Sequence, residues 1–169
     1  KAFSEAGLYA QKWHQNDFKI ATDDILKSQE RQLLMAEVEV TSGSGKNREY
    51  IFSGLLFKFD TRKAYKGETY ITCGEREMFA SPVGTKINLN TKISKASLEW
   101  NDFEKLLNVR TTDQIEAREI LSPDFMEILY SWWQSHKKAA RLSFKGTHAY
   151  LTLPSNDLFE PSAWSTIEE

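Results

Sequence analysis

The segment that most restricts how this chain can fold is 122–136, SPDFMEILYSWWQSH. Ser122-Pro123-Asp124 is a helix start. It offers a capping hydroxyl, a proline whose missing N–H costs nothing at the first helical position, and an acid near the positive helix end. Behind it Phe125, Ile128, Leu129 and Trp132 recur at i, i+3, i+4 and i+7, with Met126 and Trp133 widening the stripe. His136, Lys137 and Lys138 put cations at the negative end. Burying such side chains is worth roughly 1.5–3 kcal/mol each, so the helix must lie against an apolar surface.

Its neighbours supply that surface. Residues 33–41, LLMAEVEVT, alternate through Ala36, Glu37, Val38, Glu39 and Val40 with the period of a half-buried strand. Residues 42–47, SGSGKN, read as a turn, and 48–60 resume with Tyr50, Phe52, Leu55, Phe57 and Phe59, completing an antiparallel hairpin in which Gly54 marks a bulge or bend. Residues 67–73 read as a third strand, 85–93 as an edge strand and 96–100 as a further strand. Residues 141–144 and 148–153 alternate on either side of Lys145-Gly146-Thr147, which predicts a second hairpin. Thr22-Asp23-Asp24 reads as a polar turn or a helix start, and Asn101 or Asp102 as the cap of a helix closed by Asn108. The tail 157–164 is expected to fold back on the core. The pattern predicts an α+β domain, a mainly antiparallel sheet of about five to seven strands with one main amphipathic helix over 123–136 packed on it. Smaller helices are expected at 1–15 and 101–121.

Composition narrows the function classes. With 169 residues, 40% hydrophobic and 27% charged, the chain is long enough for one domain with its own core. A net charge of −2 and a pI near 6.0 give no electrostatic footprint for nucleic acid. One cysteine, Cys73, excludes an internal disulfide framework and fits a reducing compartment. No stretch approaches the ~20 apolar residues that cross a bilayer as a helix. The chain opens on Lys1 without a signal-peptide pattern, so it is expected to be part of a longer protein.

Catalytic and cofactor motifs are missing. In SGSGK the lysine is followed by Asn47 and the glycines are too close for a P-loop, and no G-x-S-x-G, G-x-G-x-x-G or HExxH occurs. His14, His136 and His148 have no partner at zinc-ligand spacing. No cofactor and no metal are expected.

The most polar cluster in the best-defined stretch is Asp113, Gln114, Glu116 and Arg118. These residues either cap the helix and form ion pairs, or form a recognition site for a protein or small ligand; acid–base chemistry by Glu116 and Glu119 is a third option. Trp132 and Trp133 either bridge the helix to the tail or leave one indole in a binding patch. Trp133 with Lys137 and Lys138 would make a basic, aromatic-edged patch suited to a lipid surface. The binding residues expected on these grounds are Asp113, Glu116, Arg118 and Trp133. The partner and the oligomeric state are left open.

Four short patterns occur together: Phe103-Glu104 with Leu107, the run Thr112-Asp113-Gln114-Ile115-Glu116-Ala117-Arg118, then Leu121-Ser122-Pro123 before a helix, then 141–153 with its small-residue turn. With the strand at 37–40 and YIFSGLLFKFD upstream, the chain resembles an uncharacterised bacterial family, domain of unknown function thirty-one thirty-seven. Leu107 stands where that family usually has an aromatic residue. The resemblance carries no activity. It implies a domain that often follows transmembrane helices, hence a membrane-tethered protein anchored in the inner membrane with this part in the cytoplasm.

Overall fold

The computed structural model describes residues 1–6, 18–28, 32–43, 45–73, 93–136 and 140–155. Expectations for 7–17, 74–92, 137–139 and the tail 156–169 lie outside these residues, including most of the edge strand at 85–93.

The frame is an antiparallel ribbon of two long strands, β3 (Glu49–Cys73) and β6 (Ala140–Pro154), paired from Gly54↔Pro154 to Cys73↔Ala140. On its other edge β3 pairs first with β2 (Leu33–Ser42), which in turn pairs with β1 (Phe18–Ser28), and farther along with β5 (Leu107–Thr111). The short β4 (Ser94–Lys95) pairs with β5, completing a six-stranded sheet. Among the described residues the α-helices are α1 (Ala2–Ala6), α2 (Asn101–Leu106), α3 (Gln114–Ile120) and α4 (Pro123–His136). The α+β class holds, and the helical cover is divided among several pieces.

The β2–β3 hairpin forms as its alternation predicts, closed by a 3-10 turn at Gly45–Asn47. The second hairpin does not form. Residues 140–154 are one strand, and 67–73 continues β3 instead of starting a new strand. The two polar stretches that look like turns face each other: between Asp60↔His148 and Glu68↔Lys145, residues 61–67 of β3 stand against only 146 and 147 of β6. Gly146, at φ +57°, takes the left-handed conformation this mismatch requires. Thr22–Ile25 is likewise a register shift within β1, neither a turn nor a helix start. Residues 96–100 contain no strand, whereas 107–111 do.

Side chains pack on both faces. Tyr70 and Ile71, adjacent on β3, point to opposite sides of the sheet and enter different cores. One core gathers Phe3 and Ala6 of α1 with Val38, Val40, Phe52 and Leu56. The other gathers Ile71, Phe103, Val109, Ala117, Leu121, Met126 and Leu129. On α4 the buried residues are Met126 and Leu129, with Phe125, Tyr130, Trp132 and Trp133 packed beside them, while Ile128 is 64% exposed. The expected stripe therefore holds except at Ile128, and Tyr130 joins it on the other side. Trp100 of the preceding segment, 5.0 Å from Tyr130, draws that side inward.

Candidate functional site

The run TTDQIEAR folds into a hub, its polar side chains tied to backbone of the β3 bulge, of α3 itself and of the 94–97 segment. Thr112 exchanges bonds with Glu68: the Glu68 amide donates to Thr112 Oγ1 at 2.8 Å and the Thr112 amide to the Glu68 carbonyl at 3.0 Å. Asp113 caps α3, its Oδ1 accepting from the amides of Ile115 at 3.0 Å and Glu116 at 3.1 Å. Gln114 and Arg118 are four residues apart and so share one helix face. Gln114 binds Ser94 Oγ, the Lys95 carbonyl and the Ser97 amide, and Arg118 Nε donates to the Ser97 carbonyl at 3.3 Å.

Glu116 is on another side of α3. It is 7% exposed, and its two oxygens accept from the amides of Lys66 at 3.0 Å and Gly67 at 2.8 Å. A carboxylate suits that place because two adjacent N–H groups freed from the ladder by the bulge need acceptors. Gly67 is there because nothing larger fits: a Cβ would lie 2.8 Å from Thr112 Oγ1 and 2.9 Å from Asp113 Cβ. Glu116 thus fastens the bulge of β3 to α3.

The fastened bulge forms one wall of a groove of about 290 Å³. Lys63 and Tyr65 come from the bulge, Glu119 and Ile120 from the end of α3, Phe125 from the first turns of α4 and Phe144 from β6. The floor is aromatic. Phe144 meets Tyr65 edge-on at 5.7 Å and Phe125 edge-on at 6.2 Å. Across the rim Lys63 pairs with Glu119, and the Lys63 ammonium also lies 5.9 Å from the Tyr65 ring centre. The Glu119 hydrogen bond and charge hold the Lys63 ammonium above the usual lysine value.

A second tie lies beside the bulge. Glu68 accepts from Tyr70 at 2.6 Å and pairs with Lys145 at 2.6 Å. Burial pushes its carboxyl up, but the bonds from Lys145 and Tyr70 outweigh burial and hold it below the usual range. Burial, then the bond to Glu68, pushes the Tyr70 hydroxyl far up. Glu104 of the Phe103-Glu104 pair takes the Leu98 amide at 2.7 Å and Lys95 at 3.0 Å, in that order the causes that lower its pKa.

Of the expected binding residues, Asp113, Glu116 and Arg118 share α3 but do not converge on an open space. Asp113 holds the helix end, Glu116 the bulge and Arg118 the 94–97 segment. Trp133 packs against the helix-side core, and its buried indole N–H meets no acceptor among the described residues. Lys137 and Lys138 lie outside the described residues. Sequence reasoning missed Lys63 and Tyr65 because 61–66 fall between the strands read at 48–60 and 67–73, and it read Phe144 only as part of a strand. Only the pairing of β3 with β6 places those residues beside Glu119.

A six-stranded antiparallel sheet with helices and an aromatic groove at one bulge defines the class as an α+β domain without a recognised catalytic constellation among the described residues. Residues 50–169 match the family model described as Protein of unknown function (DUF3137), and the chain belongs to that family. No curated protein and no solved structure matches it. No helix among the described residues is long and apolar enough to cross a membrane.

Proposed function

We propose that this chain is a non-enzymatic binding module. Its groove between the β3 bulge and the α3–α4 corner receives an apolar group of a protein or small ligand. The observation that carries this is the aromatic floor of Tyr65, Phe125 and Phe144 left open beneath a single ion pair. Convergent aromatic walls with few polar groups at the rim are what a recognition pocket needs. An acid–base reading centred on Glu116 has less support, since both its oxygens are already occupied by backbone amides. The setting belongs to the proposal and rests on the family resemblance: a bacterial membrane-associated protein, anchored in the inner membrane, with this module on the cytoplasmic side. The groove is tested by titrating the ¹⁵N-labelled chain with N-acetyl-Phe-amide. Amide shifts should concentrate at Tyr65, Ile120, Phe125 and Phe144, and Phe125→Ala should weaken them; shifts elsewhere, or none, would remove the groove from the account. The setting is tested by fractionating full-length protein, where recovery in the alkali-washed supernatant contradicts a tether.

A further inference from the structure

The groove has one cation and one acid on its rim, and a charged occupant competes with one of them for the other. Two observations determine which. First, Glu119 stands in the last turn of α3 (Gln114–Ile120), where unpaired carbonyls make the helix end negative and a carboxylate is disfavoured. Second, Lys63 remains attractive to the floor when Glu119 leaves, because its ammonium lies 5.9 Å from the Tyr65 ring centre. Two other acids are near: the Glu116 carboxylate also acts on Lys63 but is held by the Lys66 and Gly67 amides, and Asp124 sits in the first turn of α4, whose positive end offsets its charge. Glu119 is thus the partner that yields, and Lys63 is the rim charge that an occupant meets.

From this we infer that the groove takes a partner polypeptide segment in which a large apolar side chain is flanked by carboxylates: the apolar group enters the aromatic floor, and a flanking carboxylate replaces Glu119 on Lys63. A peptide fits better than a compact small molecule. About 290 Å³ is at the lower limit for small-ligand pockets, and this groove opens along one side, so it accommodates one anchoring side chain with its flanks outside. The inference rests on the groove reading above.

The test uses three probes with the same anchor, N-acetyl-Glu-Phe-Glu-amide, N-acetyl-Gln-Phe-Gln-amide and N-acetyl-Lys-Phe-Lys-amide, titrated by NMR into the ¹⁵N-labelled chain at low salt. The acidic peptide should bind about three- to fivefold tighter than the neutral one, the scale of an exposed ion pair, and the basic peptide weakest. The preference should fade in high salt. Glu119→Gln should strengthen binding of the acidic peptide by removing its competitor, and Lys63→Gln should erase the preference; both positions are exposed enough to leave the fold intact. Equal binding of all three peptides at the groove overturns the charge assignment and leaves the groove standing. Tightest binding of the basic peptide overturns it in favour of Glu119 as the retained partner. No groove shifts with any probe removes both.

Discussion

Glu116→Gln should loosen the domain at one identifiable place. The carboxylate is 7% exposed and serves two amides, Lys66 at 3.0 Å and Gly67 at 2.8 Å. A glutamine keeps one acceptor oxygen and turns an NH₂ toward the other amide, so one charge-assisted bond is lost and a buried donor faces a donor. A hydrogen bond to a charged group contributes about 1.5–3 kcal/mol and an orphaned buried donor costs about 1–3; the two figures overlap, because part of the bond's worth is the donor it satisfies, so the expected loss is about 2–4 kcal/mol. For a domain of this size that is a fall in melting temperature of roughly 5–15 °C. Urea denaturation measures the loss, and an unchanged slope with denaturant would show that the compactness of both states is kept. Hydrogen exchange locates it: the Lys66 and Gly67 amides should lose protection, while Ile71 and Val109 in the core lose only what global stability loses. A stability change below about 0.5 kcal/mol, the level of an ordinary surface substitution, with both amides still protected, would refute the latch.

Four further outcomes follow from the same geometry. Gly67→Ala forces a Cβ to 2.8 Å from Thr112 Oγ1 and should cost about 1–3 kcal/mol in urea denaturation, as overpacking does. Asp113→Ala removes the acceptor of two helix-start amides and should cost about 0.5–2 kcal/mol by the same assay. Glu68 has a folded pKa below its ordinary 4.5, so its contribution is complete above that pH and is lost as pH falls through the folded value. The stability gap between the native chain and Glu68→Gln should therefore be largest near neutrality and shrink below pH 4.5, and a gap that ignores pH contradicts the assignment. Lys63→Gln and Glu119→Gln should leave the melting temperature where it is, since an exposed ion pair adds little to the fold.

What was legible in the residues was whatever rested on one local pattern. The β2–β3 hairpin followed from alternation over 33–41 and 48–60, the α3 cap from Asp113, and the α4 start from Ser122-Pro123. Segments that depend on distant partners were not legible. Residues 61–67 and 145–147 each look like a turn in isolation. They are a bulge because the strands on both sides of them pair with one another across nearly the whole length of β6. The α4 stripe was legible except at its edges. Phe125, Met126, Leu129, Trp132 and Trp133 pack on the core, but periodicity leaves Ile128 and Tyr130 on opposite borders of the apolar face, and contact with Trp100 draws Tyr130 in. The polar cluster on α3 was found, and capping by Asp113 was among its readings, but the separate roles of Glu116 and Arg118 were not legible. Capping, latching and ligand binding require the same residue types, and only the positions of the Lys66, Gly67 and Ser97 backbone separate them.

Where an apolar probe comes to rest on the domain tests the groove most directly. Intermolecular nuclear Overhauser contacts from the phenyl ring of N-acetyl-Glu-Phe-Glu-amide should reach the side chains of Tyr65, Ile120, Phe125 and Phe144. Contacts instead to exposed Ile115 or Ile128 on the outer helix surfaces, or to Leu26 and Phe59 on the sheet, would place recognition elsewhere and contradict the assignment of the groove.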